Sequence, residues 1–124
     1  MLLDSNVIIY ASNPKNIHLR EYLGKYEKVL CVSTISKLEV LGYHKLKLNE
    51  KQYFEKFFAE IIVLPIDNSI IDKAILLRQQ KNISVGDSII AATAIIANIS
   101  LLTHNEVDFK AIKKLEILPI KNLL

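Results

Sequence analysis

At 124 residues the chain is sized for one domain, and a domain of that length buries about two thirds of the surface its unfolded form exposes. A hydrophobic share of 51% beside 23% charged residues excludes a disordered or low-complexity chain. The net charge of +3 is too small to announce nucleic-acid binding by itself, and the longest apolar run, 88–102, is broken by Thr93, Asn98 and Ser100 and falls short of the roughly 18 residues of a membrane span.

In chain order, "MLLDSNVIIYA" opens with a short apolar strand expected over Leu2 to Asp4. It has no basic leader and carries an acid inside its apolar stretch, so no secretory signal is expected. "SNVIIYAS" reads as a helix starting directly after that strand, and "IHLREYLGKY" as a second. A strand is expected over Val29 to Val32, where the lone Cys31 has no disulfide partner and reads as a small buried hydrophobe in a reducing cytoplasm. Thr34 to Leu46 reads as a third helix. "NEKQYFEKFFAE" reads as a fourth, with Tyr53, Phe54, Phe57 and Phe58 along one face.

A third strand is expected over Ile61 to Pro65. Asp67 then has the character of an N-cap for a helix reaching about Lys81, with an apolar stripe of Ile70, Ile71, Ala74 and Leu77. The segment from Asp87 to Asn98 is apolar nearly all round, as befits a helix buried on most sides. Strands over Ser100 to Thr103 and Glu116 to Ile120 flank a short "FKAIKKL" helix. Short apolar runs alternating with helical periods are the pattern of an α/β domain on a mainly parallel sheet, and no linker divides residues 1–124.

The acids fall where chemistry is usually found. Ligands of open parallel sheets bind beyond the carboxyl ends of the strands, and Asp4 ends the first one. Glu39 lies in the helix after the second strand, Asp87 opens the helix before the fourth, and Asn105 and Asp108 follow the fourth. Each also has a local explanation. Ser36 to Glu39 and Ser84 to Asp87 are both spaced as capping boxes, and Asp108 is placed to cap the short helix; Asp4 alone has no evident local partner. Gathered together, such acids repel one another unless protonated or bridged by a cation. Oxygen ligands without His or Cys select Mg²⁺ or Mn²⁺, and His18, His44 and His104 lack metal-ligand spacing. Two lysine groups, Lys45, Lys47, Lys51 and Lys56, and Lys110, Lys113, Lys114 and Lys121, are available to phosphates or to solvent.

"LLDSNVII", "STISKLEVLGY", "SVGDSIIAATA" and "LLTHNEVDF", in this order and spacing, resemble the four acidic motifs of the PIN domain family, from Leu2 to about Leu118. The short chain and the "EVLGY" motif are similar more narrowly to VapC-type toxins. The resemblance implies a three-layer α/β/α fold with a central, mainly parallel five-stranded sheet, and a Mg²⁺- or Mn²⁺-dependent endoribonuclease in a toxin–antitoxin pair. It implies that Asp4 and Asp87 bind the metal most directly, that Glu39 joins the same pocket, and that Ser5 and Asn6 organise the first turn, with Asn6 supporting the carboxylates. Thr103 is implied to position the fourth motif. There the chain departs from the pattern, with Asn105 in place of an acid: its amide can still supply one oxygen without charge and so stands among the catalytic candidates with Asp4, Glu39 and Asp87, while Asp108 either compensates or is structural, and one or two metal ions are both open. A cognate antitoxin, an RNA substrate and a homodimer are further implications; the Tyr53 to Phe58 face is a candidate dimer surface, and core packing explains it equally well. Two other readings stand beside this one: a PIN fold that only binds RNA or a partner, and a receiver-like phosphoacceptor domain.

Overall fold

Leu2 and Leu3 point to opposite sides of the backbone, and that alternation divides the molecule into layers. In the computed structural model, which describes residues 1–124, β1 (Leu2–Leu3) lies at the centre of a five-stranded sheet. Its neighbours are β2 (Cys31–Ser33) and β4 (Leu101–Thr103), with β3 (Ile62–Leu64) and β5 (Ile117–Pro119) at the edges. The order is β3-β2-β1-β4-β5, and every pairing is parallel. The three-layer α/β/α arrangement follows from which strand residues face which helices. Leu2, Cys31 and Leu101 pack with α5 (Asn68–Gln80) and α6 (Val85–Ala97). Leu3, Val32 and Leu102 pack with α1 (Ser5–Ser12), α2 (Ile17–Lys25), α3 (Thr34–Leu41) and α4 (Leu48–Glu60).

The helix that is apolar nearly all round is the most enclosed: every residue of α6 from Ser88 to Ala94 is buried. It stops at Asn98, which adopts the left-handed conformation (φ 54°) that Asn tolerates better than most residues. No helix is long and apolar enough to cross a membrane.

Three expectations are corrected, and a choice between two readings is made. Val29 lies outside β2, in a 3-10 turn over Glu27–Val29. The third helix ends at Leu41, not Leu46; Gly42 takes its C-cap and the chain turns through Tyr43. The expected "FKAIKKL" helix is absent. A shorter α7 (Glu106–Phe109) precedes it, with both acids in its first turn where the helix dipole favours them, and buried Phe109 and Ile112 then anchor a turning segment that leads to β5. Finally, of the two readings of Tyr53 to Phe58, core packing holds for the three phenylalanines, and Tyr53 alone of these aromatics stays exposed. Phe54 and Phe58 are buried in the core, Phe57 packs against it, and the Tyr53 hydroxyl donates to the Ala11 carbonyl.

Candidate active site

β1 is the point where the sheet changes direction: the chain passes from it to β2 and β3 on one side, then returns to β4 and β5 on the other. A crevice opens at the carboxyl ends of such neighbouring strands. Asp4 stands there, 4% exposed, and the partner invisible in its sequence is its own helix: Oδ1 accepts the Ser5 N–H at 2.8 Å, making Asp4 the N-cap of α1. Its Oδ2 accepts the Thr103 hydroxyl at 2.7 Å, and Thr103 Oγ1 in turn accepts the Asn105 N–H at 2.9 Å. Burial pushes the Asp4 carboxyl up to about 6, the charges of Asp87 and Glu39 add to the rise, and the bonds from Thr103 and Ser5 hold it back.

Glu39 is not one half of a capping box. Ser33 caps α3, accepting the Ile35 N–H at 3.1 Å, which places Ser36 inside the helix and Glu39 one turn further along. Both instead face α1. Ser5 Oγ donates to Glu39 Oε1 at 2.8 Å and lies 2.9 Å from the Ser36 hydroxyl, so Ser5 is a link between two motifs. Opposite them is Gly86, where a Cβ would stand 2.5 Å from Glu39 Oε2. The Glu39 carboxylate occupies the space that any other residue at position 86 would fill. The sequence pattern offers Ser36 only as half of a capping box and assigns Gly86 no part. A glycine in the first turn of an otherwise excellent helix was the available signal, because it weakens that turn.

Asp87 does belong to a cap, but only through its backbone. Ser84 Oγ accepts the Asp87 N–H at 3.1 Å, while the half-buried Asp87 carboxyl makes no bond back to the Ser84 N–H. That carboxyl is raised above its ordinary value by burial, then by the charges of Glu39 and Asp108, against a lowering contact from Ser84. At the fourth motif, Asn105 Nδ2 donates to Asp108 Oδ2 at 2.7 Å. Asp108 therefore faces the acids instead of capping a following helix. Asn6 is a correction to expectation: its Oδ1 accepts the His104 N–H at 3.4 Å, which ties α1 to the fourth motif and supports no carboxylate.

The fold thus brings Asp4, Glu39 and Asp87 into one another's electrostatic field, with Asp108 acting on Asp87. Neither of the protein's two ion pairs involves them. No group of three or more His, Cys, Asp or Glu side chains forms a ready-made metal cage. The donor set is nonetheless of one chemical kind, hard carboxylate oxygens whose proton affinity is raised at Asp4 and Asp87, and such groups suit Mg²⁺ or Mn²⁺ and not a soft metal. Of the lysine groups, Lys51 pairs with Glu55, and Lys121 stands 3.9 Å from Glu106. Lys113 and Lys114 join Lys73 and Lys81 around a cavity of about 500 Å³ that none of these acids lines.

Residues 1–115 match the family model of the PIN domain. Among solved structures, the fold is similar to a toxin–antitoxin complex from Klebsiella pneumoniae, at 25% identity over 94% of each chain and a TM-score of 0.77. It is also similar to DNA-bound VapBC from Salmonella typhimurium, at 23% identity over 95% of this chain and 96% of that one, with a TM-score of 0.84. VapBC2 from Rickettsia felis, bound to a DNA fragment from its promoter, aligns at 23% identity over the same shares with a TM-score of 0.83. No curated protein sequence matches the chain.

Proposed function

The chain belongs to the PIN domain family, and on that premise we propose that it is a Mg²⁺- or Mn²⁺-dependent endoribonuclease, the toxin of a toxin–antitoxin pair. It works in the cytoplasm, as a homodimer, and is restrained by a cognate antitoxin. One observation carries this reading: Asp4, buried at the switch point of a parallel sheet, has its carboxyl pushed up to about 6 with Asp87 and Glu39 among the causes. A buried carboxylate among like charges is costly to the fold, marks a functional site, and is relieved where a cation compensates it. The antitoxin partner is supported by the similar solved structures, which are themselves toxin–antitoxin complexes or VapBC assemblies.

Asp4 and Asp87 would hold the metal directly, with Glu39 beside them. When bound, the ion lowers the pKa of a water and neutralises charge developing on the phosphate as the backbone is cut. The chain's own work is positioning. Thr103 and Ser5 each fix one oxygen of Asp4, so its carboxylate cannot rotate freely. Ser5 also holds Glu39, and Asn105 holds Asp108, which keeps both charges directed inward without neutralising them. Above a pH of about 6 Asp4 is ionised and ready to bind a cation.

A receiver-like phosphoacceptor is ruled out by topology. That fold orders its strands 2-1-3-4-5, whereas this sheet runs β3-β2-β1-β4-β5. Asp67, the acid that follows the third strand, is spent as the exposed N-cap of α5, accepting the Ile70 N–H at 2.9 Å. An inactive binding module is disfavoured because nothing in a purely structural role requires Asp4 to be buried beside Asp87 and Glu39. Purified protein is expected to cleave RNA with Mn²⁺ or Mg²⁺, to stop when EDTA is added, and to lose cleavage in Asp4→Asn and Asp87→Asn variants that still fold. Wild-type rates from both variants would reject the assignment.

A further inference from the structure

Next to the acids, on the side where α1 meets the fourth motif, two aromatic rings face solvent. Tyr10 and His104 are 5.1 Å apart between ring centroids and inclined at 75°, an edge-to-face pair. Both residues are exposed, Tyr10 at 37%. Their position relative to the acids is set by short links. Tyr10 is four residues after Asn6 and so shares its face of α1, Asn6 accepts the His104 N–H, and the residue before His104 is the Thr103 that donates to Asp4.

The helix end that carries Tyr10 is unusually well tied. Asn16 Nδ2 donates to the Tyr10 carbonyl at 2.8 Å, and Arg20 donates to the Ala11 and Ser12 carbonyls at 2.7 and 2.8 Å. The Tyr53 hydroxyl adds a bond to the Ala11 carbonyl at 3.3 Å, with the Arg20 guanidinium 5.6 Å from the Tyr53 ring centre. These side chains satisfy carbonyls that a helix C-terminus normally leaves to water. The Tyr10 ring thus stands on an immobilised turn, and little ordering entropy remains to be lost when something binds to it.

We propose that Tyr10 and His104 form a stacking corner for one unpaired RNA base, next to the nucleotide whose phosphate is cut at the acids. The rings brace each other edge to face, and the exposed outer surface of the pair is open to a base. Unstacked bases are commonly held by aromatic and His side chains, and the π-face of any base is accepted. The corner makes cleavage selective for RNA in which the base beside the scissile phosphate is free of a duplex. This inference rests on the nuclease reading above, from which its failure can be told apart.

The test measures cleavage of a single-stranded RNA oligonucleotide with Mn²⁺, and of the same strand made abasic at one position at a time. Tyr10→Leu and His104→Ala are expected to raise KM about tenfold with a smaller change in kcat, and Tyr10→Phe to restore most of the loss. One abasic position should cost the wild type a similar factor and cost Tyr10→Leu almost nothing further. The shift of the melting curve by Mn²⁺ should persist in all three variants, which separates a lost stacking surface from a damaged fold. Cleavage by Tyr10→Leu with unchanged KM, or an abasic penalty equal in wild type and variant, overturns the corner and leaves the nuclease standing. A wild-type chain that neither binds nor cleaves the oligonucleotide removes both.

Discussion

Gly86 carries more of the site than its size suggests. A methyl group there would meet Glu39 Oε2 at 2.5 Å, so Gly86→Ala must push the carboxylate aside and away from its bond with Ser5. Glu39 is exposed, so its carboxylate has solvent to move into, and Gly86 lies inside a helix where Ala is intrinsically better by roughly 1 kcal/mol. The expected result is therefore a protein of equal or slightly greater stability with impaired cleavage and weaker Mn²⁺ binding. Denaturant melts and a metal titration on the same preparation check it; a destabilised but fully active variant would mean that Glu39 has nothing to do with the site. Among single residues, the carboxylates are legible in the sequence and the groups that surround them are not. Asp4, Glu39, Asp87 and Asp108 were visible as acids near element ends. Ser5 as a link to Glu39, Ser36 as its neighbour and Asn6 as a brace for His104 were not, because a hydroxyl or amide has a local use nearly anywhere in a chain.

Elements show the same division between what is local and what is not. The start of α6 was read as a capping box, and half of it exists: Ser84 accepts the Asp87 N–H, while the Asp87 carboxyl does not reciprocate. This separates two substitutions three residues apart. Ser84→Ala should lower stability by about 1 kcal/mol with or without metal, since it removes a cap. Asp87→Asn removes a charge that Glu39 and Asp108 oppose and leaves the backbone bond intact, so it should raise the melting temperature of the metal-free protein and abolish stabilisation by Mn²⁺. Equal destabilisation by both would return Asp87 to the status of a simple cap. The helix and strand assignments were otherwise legible because apolar periodicity reports burial directly. They failed at 42–46 and 110–115, where the pattern continues but Gly42 and the left-handed Lys114 (φ 67°) turn the chain.

For the whole molecule the consequence is a folding stability that depends on pH and, under the proposed function, on metal. Asp4 has a folded value of about 6 against an ordinary 3.8, so the folded protein binds its proton more tightly than the unfolded chain does. Stability from this group is fully present below about 4, declines as pH rises toward 6, and stays lost above it, a change on the order of 3 kcal/mol. Asp87, raised in the same direction, adds to the decline. Metal-free protein should therefore be measurably more resistant to urea at pH 5 than at pH 7.5, with the difference reduced in Asp4→Asn. Millimolar Mn²⁺ should restore the loss at pH 7.5 and do little at pH 5, where the proton competes for the same oxygens. Urea midpoints at the two pH values, with and without metal, decide it; a midpoint that rises with pH in the absence of metal would contradict the buried, like-charged environment of Asp4.

Short-range physics alone wrote into the chain the alternation of strands and helices, the buried character of α6 and the placing of acids beside the ends of those elements. Those features depend on neighbours a few residues away, and periodicity and spacing expose them. The tertiary structure decided which acids meet and how strongly. Thr103 reaches Asp4 across 99 positions because β4 pairs with β1, and Ser5 reaches Glu39 across 34 because α3 lies against α1. Strand order and depth of burial are collective properties of the packed core, and the proton affinity of a carboxylate follows from both, so no local pattern could announce them.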